Sequence, residues 1–175
     1  GEVHAARAAH ARYFSDLVDE ADRHLRQHDQ LHWLALLEAE RDNVLAALRC
    51  LGDSGEAQAT VELALRLTWY WTLLGSHSEA ANWLRFALTV PGPVPHGRRV
   101  MAEAAHTISS MAGESGDFDM AQVSRTMADM DEKIAGVDLG SEPLAWRLRP
   151  SRAVVSGDPV LVKQRMAEAL ECEDP

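Results

Sequence analysis

Apolar residues recur at intervals of three and four along most of the chain, the spacing that places them on one face of an α-helix. Ala, Leu, Glu and Arg dominate these segments and β-branched runs are almost absent, which favours helices over strands. Glycine or proline separates most segments, where the chain turns or a helix cannot continue. The pattern predicts an all-α protein of about eight helices, over residues 3–27, 30–51, 56–74, 78–90, 97–112, 119–135, 142–155 and 159–171.

Within these helices the pattern also predicts which side chains face the core. The first helix is expected to bury one stripe: Ala6, Ala9, Tyr13, Leu17, Ala21 and Leu25. The second is expected to bury another: Trp33, Leu34, Leu37, Val44, Ala47, Leu48 and Leu51. Asp29 is predicted to cap the second helix, and Pro150 to kink or break the seventh near Arg149, because proline lacks a backbone donor.

A repeat follows the helical pattern. Gly75, Gly116 and Gly157 follow one another at intervals of 41 residues, each between two predicted helices. Small or apolar residues recur five and twelve positions after each glycine: Ala80, Ala121 and Val162, then Ala87, Ala128 and Ala169. Glycine allows a sharp turn, and the small residues allow the second helix of each pair to lie close to its partner. The sequence predicts that Ala87 and Ala128 both lie in tight helix contacts.

This pattern resembles the tetratricopeptide repeat, with Gly-Asp-Phe at 116–118 and Ala87-Leu88 followed by Pro91 as matching positions. The resemblance implies a right-handed array of stacked antiparallel helical hairpins, an α-solenoid. The expected units are an amino-terminal hairpin at 1–54 and three repeat hairpins at 55–96, 97–140 and 141–175, in one continuous array. The period is longer than the usual 34 residues, and it also suits HEAT-type hairpins, so that alternative stays open.

Residues 3–91 carry a second resemblance, most specific in the stretch Glu-Ala-Glu-Arg-Asp-Asn-Val-Leu-Ala-Ala-Leu at 38–48. It is similar to the helical region of large bacterial transcriptional regulators, the signal-transduction ATPases with numerous domains, including antibiotic-regulatory and LuxR-type factors. The resemblance implies a sensor arm or autoinhibitory scaffold, with ATPase and DNA-binding domains elsewhere in the parent chain. The first residue, Gly1, and the polar carboxyl end fit a piece of a longer protein.

Charge and cysteine content limit the partners and the compartment. The formal net charge is −10, which opposes binding to phosphate backbones, so we expect no direct nucleic-acid contact by this segment. We find no run of membrane-spanning length and expect no membrane contact. The two cysteines, Cys50 and Cys172, make no disulfide framework and suggest a reduced, cytoplasmic setting.

Several clusters could carry chemistry, and each has a plainer interpretation. His24, His28 and His32 have the spacing of metal ligands on one helix, but Asp29 marks a helix junction, so surface histidines are favoured and no metal is expected. The carboxylates of the 38–42 stretch are predicted to line a solvated face, and Asn43 to bond between helices. Trp69-Tyr70-Trp71 could suggest a stacking platform, but consecutive helix positions point in different directions. We expect Trp71 in the core, with Trp69 and Tyr70 facing a groove or the adjacent hairpin.

The function predicted from these features is a regulatory protein-interaction or sensor module that is not an enzyme and needs no cofactor. Its partner would be another protein or another domain of the same parent chain. The first helix of each hairpin should line a concave surface, with candidate contact residues Arg66, Trp69, Glu103, His106, Ser110, Arg147 and Ser151. For Trp69 the competing role is packing against the preceding hairpin. The alternative function is a small-ligand receptor or enzyme domain that uses the concave groove, which a deep enclosed pocket would favour.

Overall fold

The structure, a computed structural model, describes residues 2–113 and 120–135. The prediction of an all-α chain is confirmed there, because every regular element in these ranges is a helix. The helices are α1 (Glu2–His24), α2 (Gln30–Ala39), α3 (Arg41–Asp53), α4 (Ala57–Leu73), α5 (His77–Thr89), α6 (His96–Gly113) and α7 (Met120–Ala135). Across these ranges, none of the helices has the length and apolarity that a membrane crossing requires. The predicted helices at 142–155 and 159–171, the kink at Pro150 and the third repeat hairpin lie outside the described residues.

The predicted helix at 30–51 is wrong in one respect, because it is divided at Glu40 into α2 and α3. Helical hydrogen bonds are kept on both sides of Glu40. The Glu40 amide donates to the Leu36 carbonyl at 3.0 Å, and the Val44 amide donates to the Glu40 carbonyl at 2.9 Å. The chain therefore bends between two short helices rather than crossing a loop. Neither proline nor glycine stands at the bend, so the sequence gives no local signal for it.

The core face of α1 also differs from the predicted stripe. Tyr13 is 63% exposed, whereas its neighbour Phe14 is buried, and Val18 rather than Leu17 lies at the centre of the face. The two candidate stripes differ by one position over much of the helix and converge at Ala21 and Leu25. The stripe that is buried places Phe14 and Val18 in the core and leaves Tyr13 exposed.

The turn between α4 and α5 follows the repeat prediction. Gly75 adopts a φ of +66°, a left-handed conformation that glycine accepts without strain. The residues that follow it at the predicted positions, Ala80, Leu84 and Ala87, are all buried in α5. In the next unit the prediction fails at Ala128, which is exposed on α7. Gly116, which would begin that unit's second helix, lies outside the described residues.

Helix α4 holds the described part of the molecule together. It packs against α1, α3, α5 and α6, and α5 packs closely on α6. Trp71, in the middle of α4, is fully buried, as predicted. The buried residues form one continuous cluster that runs from Ala11 in α1 to Met130 in α7. The side chains discussed below are therefore held on helices that share one core.

A candidate interaction surface

Two of the predicted contact residues, Arg66 and Trp69, join α4 to α1. The Arg66 Nε lies 2.9 Å from Oδ1 of Asp19, and the Trp69 indole N–H donates to the backbone carbonyl of Leu25 at 3.1 Å. The Arg26 guanidinium lies 5.3 Å from the centre of the Trp69 ring. The structure thus gives Trp69 the packing role that was the alternative to a groove position. The prediction that either residue binds a partner stays a prediction.

The other predicted contact residues lie on α6 or beyond it. His106 and Ser110 both line a recess between α5 and α6, so the structure brings these two together. Glu103, one turn earlier, lies close to Lys133 of α7, whose pKa is raised mainly by a hydrogen bond to Asp129 and to a smaller extent by Glu103. Arg147 and Ser151 lie outside the described residues.

A group of polar contacts at the α2–α3 bend involves four helices. The Tyr70 hydroxyl of α4 donates to Oε2 of Glu38 at 2.8 Å, and the Arg41 guanidinium pairs with the carboxylate of Glu79 on α5. Burial raises the pKa of Tyr70, and the hydrogen bond to the Glu38 carboxylate raises it further. Glu38 is exposed, which agrees with the prediction that this stretch mostly lines a solvated face, but its carboxylate is also bonded to α4. Asn43 does not bond between helices as predicted, because its amide donates to Glu40 in the preceding turn at 2.7 Å.

The predicted histidine cluster separates at the junction between α1 and α2. His24 stacks on Trp33 with ring centres 4.8 Å apart, while His28 and His32 are exposed. Asp29 precedes α2 as predicted but makes no capping hydrogen bond; its carboxylate accepts the Trp33 indole N–H at 3.1 Å. Burial alone would raise the pKa of Asp29, but the bond from Trp33 and the nearby histidines lower it. Across residues 2–113 and 120–135, His, Cys, Asp and Glu side chains form no group of three suited to a metal ion.

One recess is an open groove between the start of α1 and α3. Its volume is about 890 Å³. Its walls combine alanines with polar side chains: Ala6, Arg7, Ala8, His10, Ala46, Arg49, Cys50, Asp53 and Ser54. The Cys50 thiol lies 3.8 Å from the Arg7 carbonyl, which marks where the two helices approach each other. The groove thus offers a mainly apolar floor with arginine on both sides.

A second recess of about 420 Å³ adjoins the groove and shares Arg49 with it. Here the Arg49 guanidinium lies 5.3 Å from the ring centre of Trp83 and 5.8 Å from that of Phe86. The two aromatic rings meet edge to face at 5.7 Å. Asn82 of α5 lines this recess and also the α5–α6 recess that holds His106. We call the three adjoining recesses, from Arg7 across Arg49 to Arg85, the arginine strip.

The arginines of the strip differ from other arginines of the protein in their partners. Carboxylates pair with Arg23, Arg26, Arg41 and Arg66. In the part of the chain that the structure describes, Arg7, Arg49 and Arg85 have no carboxylate within ion-pair distance, although Asp53 lies one turn after Arg49. Three guanidinium groups without a carboxylate partner therefore lie along one surface of a protein whose net charge is −10. Among the described residues, Arg12 and Arg99 likewise have no carboxylate within ion-pair distance.

Sequence reasoning missed the strip because its members come from separate helices. Arg7 belongs to α1, Arg49 to α3 and Arg85 to α5, and no motif in the sequence connects them. A usable local signal was present only in α5, where Trp83, Phe86 and Arg85 lie within one helical turn. Two of the paired arginines, Arg23 and Arg26, have carboxylates four residues earlier, a spacing that the sequence shows. The shortest ion pairs of Arg41 and Arg66 join them to other helices and could not be predicted from spacing.

The chemistry of the strip suits binding. Guanidinium groups recognise carboxylates and phosphates, aromatic faces accept apolar or cationic groups, and the open shape leaves room for an extended or helical segment. Asp53 and Glu79 also line it, and Glu79 is occupied by Arg41. Comparison with known proteins found no matching family model, no similar curated protein and no similar solved structure.

Proposed function

We propose that this chain is a non-catalytic regulatory interaction module, and that the arginine strip binds an acidic segment of a protein partner. The partner is a separate protein or another domain of the same parent chain. The observation that carries the proposal is the set of unpaired arginines, Arg7, Arg49 and Arg85, along three adjoining recesses of an acidic protein.

Electrostatics favour this choice of partner. Arg–carboxylate contacts are often bidentate, and arginine is enriched where proteins bind proteins. Most of the remaining charged surface is negative, so an acidic segment is repelled elsewhere and attracted to the strip. The exposed guanidinium of Arg49 already rests on Trp83 and Phe86, which holds it in place before a partner arrives and lowers the entropy lost on binding.

The architecture we propose for the module is a right-handed stack of helical hairpins of the tetratricopeptide kind. The buried positions after Gly75 support it, and so does the packing of α4 on the hairpins before and after it. The resemblance of residues 3–91 to the helical region of bacterial regulators supports the regulatory role. In such a parent chain the strip would hold an acidic segment of a neighbouring domain and release it when the state of the protein changes.

The rival function, a small-ligand receptor or enzyme domain in the concave groove, requires an enclosed pocket among residues such as Arg66 and Trp69. Both residues are instead engaged by α1. The groove between α1 and α3 is open rather than enclosed. These observations favour the interaction module.

Site-specific photo-crosslinking in the producing cells tests the proposal. A photoreactive amino acid replaces Ala46, an exposed residue in the groove, and the matched control replaces Ala35, an exposed alanine on α2 outside the strip. We expect one discrete crosslinked species at position 46, absent at position 35, and lost when Arg49→Glu is added. The captured segment should be acidic. Equal crosslinking at both positions, or a product that survives Arg49→Glu, would contradict the proposal.

A further inference from the structure

The recess between α5 and α6 gathers hydrogen-bond donors from two helices. It is lined by Ser78, Ala81, Asn82, Arg85, His106, Ser110 and Gly113. Gly113 makes the close approach of the two helices possible, because a side-chain carbon there would lie 2.7 Å from the Ser78 hydroxyl and 3.2 Å from the Ser78 amide nitrogen. Any larger residue at 113 would push the end of α6 away from the start of α5 or fill the recess. The shape of the recess thus depends on the close contact between α5 and α6 that Gly113 allows.

The side chains that line the recess include several hydrogen-bond donors but no carboxylate. The Arg85 guanidinium donates to the Asn82 carbonyl oxygen at 2.8 Å, which turns the amide nitrogen of Asn82 away from Arg85 and leaves it free to donate elsewhere. In the described ranges Arg85 meets no carboxylate. The nearest acidic residue along α6, Glu103, lies one turn before His106 and close to Lys133.

His106 shows the electrostatic consequence of this arrangement. Burial lowers its pKa, and the positive charge of Arg85 lowers it further. Adding a proton to His106 therefore adds a second cation to a site that already holds one. An anion bound between Arg85 and His106 would compensate both positive charges. It would therefore raise the pKa of His106 instead of lowering it.

The size of the recess limits what can enter it. Its volume is about 210 Å³, below the roughly 300–1,000 Å³ of sites that hold drug-sized ligands. The guanidinium, the amide, two hydroxyls and an imidazole together can meet several oxygen atoms of one small group. A phosphoryl group, with three terminal oxygens, uses more of these donors than a carboxylate does.

We propose that the α5–α6 recess is an oxyanion-binding site, in which Arg85, Asn82, His106 and the hydroxyls of Ser78 and Ser110 hold a phosphoryl or carboxylate group. The site accepts the free ion as well as a group attached to a larger molecule. This proposal goes beyond the protein-binding role of the strip and does not depend on it, because the free ion can bind whether or not a protein partner occupies the groove at Arg49.

Nuclear magnetic resonance of the histidine side chains tests the site with free ions. The protein is titrated with inorganic phosphate, and separately with acetate, against sodium chloride of equal ionic strength. The His106 signals are identified by their loss in His106→Gln. We expect saturable shifts of His106 with phosphate and a rise of about one unit in its pKa, which corresponds to about tenfold tighter binding by the protonated form.

Arg85→Gln is the decisive variant, and Arg23→Gln, an exposed arginine on α1, is its control. Arg85→Gln should weaken phosphate binding at least tenfold and raise the His106 pKa in chloride alone, whereas Arg23→Gln should leave both unchanged. Because Arg85 is exposed, the helical circular dichroism of both variants should match that of the parent. Weaker but saturable acetate binding supports the site and identifies phosphoryl groups as the preferred ligand. Equal phosphate affinity in Arg85→Gln, or no saturation of His106 by 50 mM phosphate (a ceiling of roughly −2 kcal/mol), overturns the proposal.

Discussion

Two tryptophans of this protein carry an arginine over the ring at the same distance and yet differ in role. Arg26 lies 5.3 Å from the centre of Trp69, and Arg49 lies 5.3 Å from the centre of Trp83. Both tryptophans are half-buried. The geometry of the cation over the aromatic ring therefore does not distinguish a structural contact from a binding surface.

The surroundings of the two pairs do distinguish them. At the first pair, the Trp69 N–H is bonded to the Leu25 carbonyl and Arg26 is paired with Asp22 at 2.9 Å. At the second, Arg49 has no carboxylate, and Trp83 makes no hydrogen bond to any residue in the described ranges. The first pair has its polar groups satisfied within the fold, and the second leaves them available. The contact of Trp69 and Arg66 with α1 therefore differs from the arginine strip in one respect: its polar groups have hydrogen-bond or ion-pair partners within the protein.

The largest expected difference between the two regions is in stability. Trp69→Ala should lower the free energy of unfolding by about 2–3 kcal/mol, less than the about 3–5 kcal/mol of a fully buried tryptophan, since the ring is half-buried but its N–H bond is lost too. Trp83→Ala should lower it by about 1 kcal/mol, because it removes the ring contact with Phe86 but no hydrogen bond. Urea denaturation of both variants measures the two changes. Equal losses of unfolding free energy would contradict the distinction between the structural contact at Trp69 and the binding surface at Trp83.

A smaller effect is expected at the polar contacts beside the α2–α3 bend. Tyr70→Phe should lower stability by about 1 kcal/mol at neutral pH, since it leaves the Glu38 carboxylate without its donor, although that carboxylate is exposed to water. The measurement is again urea denaturation, with Tyr13→Phe, at an exposed position of α1, as the control.

The pH dependence provides a second test of the same bond. The folded-state pKa of Tyr70 is raised above its ordinary value near 10, so the folded protein holds this proton more tightly than the unfolded chain does. The stabilisation is therefore complete below about pH 10 and is lost as the pH rises from there towards the folded-state pKa. Tyr70→Phe should flatten this alkaline decline. A decline of unchanged slope would show that the Tyr70 hydroxyl is not held as the structure shows it.

The sequence predicted the parts of the fold that depend on local spacing. Gly75 and the buried series Ala80, Leu84 and Ala87 are examples, because turn chemistry and helical period act within one hairpin. It failed where two local solutions compete, as at Tyr13 and Phe14, since only packing against other helices decides which face is buried. It also failed at the Glu40 bend, where the side chains on either side are bonded to α4 and α5 rather than to near neighbours.

The candidate site was less predictable than the fold. His106 and Ser110 were selected by their repeat position and do lie together in one recess. Arg85 and Asn82, which complete the recess, belong to α5, the second helix of the preceding predicted hairpin, and the repeat pattern selects only first helices for the concave surface. The groove at Arg7 and Arg49 depends on the contact of α1 with α3, more than 40 residues apart in the sequence. The cytoplasmic location and the absence of direct nucleic-acid contact stay predictions.

The most direct test of the central claim compares the arginines themselves. The side-chain Nε–Hε signals of the arginines are followed by nuclear magnetic resonance while an oligoglutamate peptide is added, and each signal is assigned by an Arg→Lys variant. We predict saturable shifts of Arg7, Arg49 and Arg85 that weaken as salt is raised, because the contacts are electrostatic, with little change at Arg23, Arg26 and Arg66, whose carboxylate partners are already in place. Shifts of similar size at all six arginines, or shifts confined to the paired three, would contradict the account.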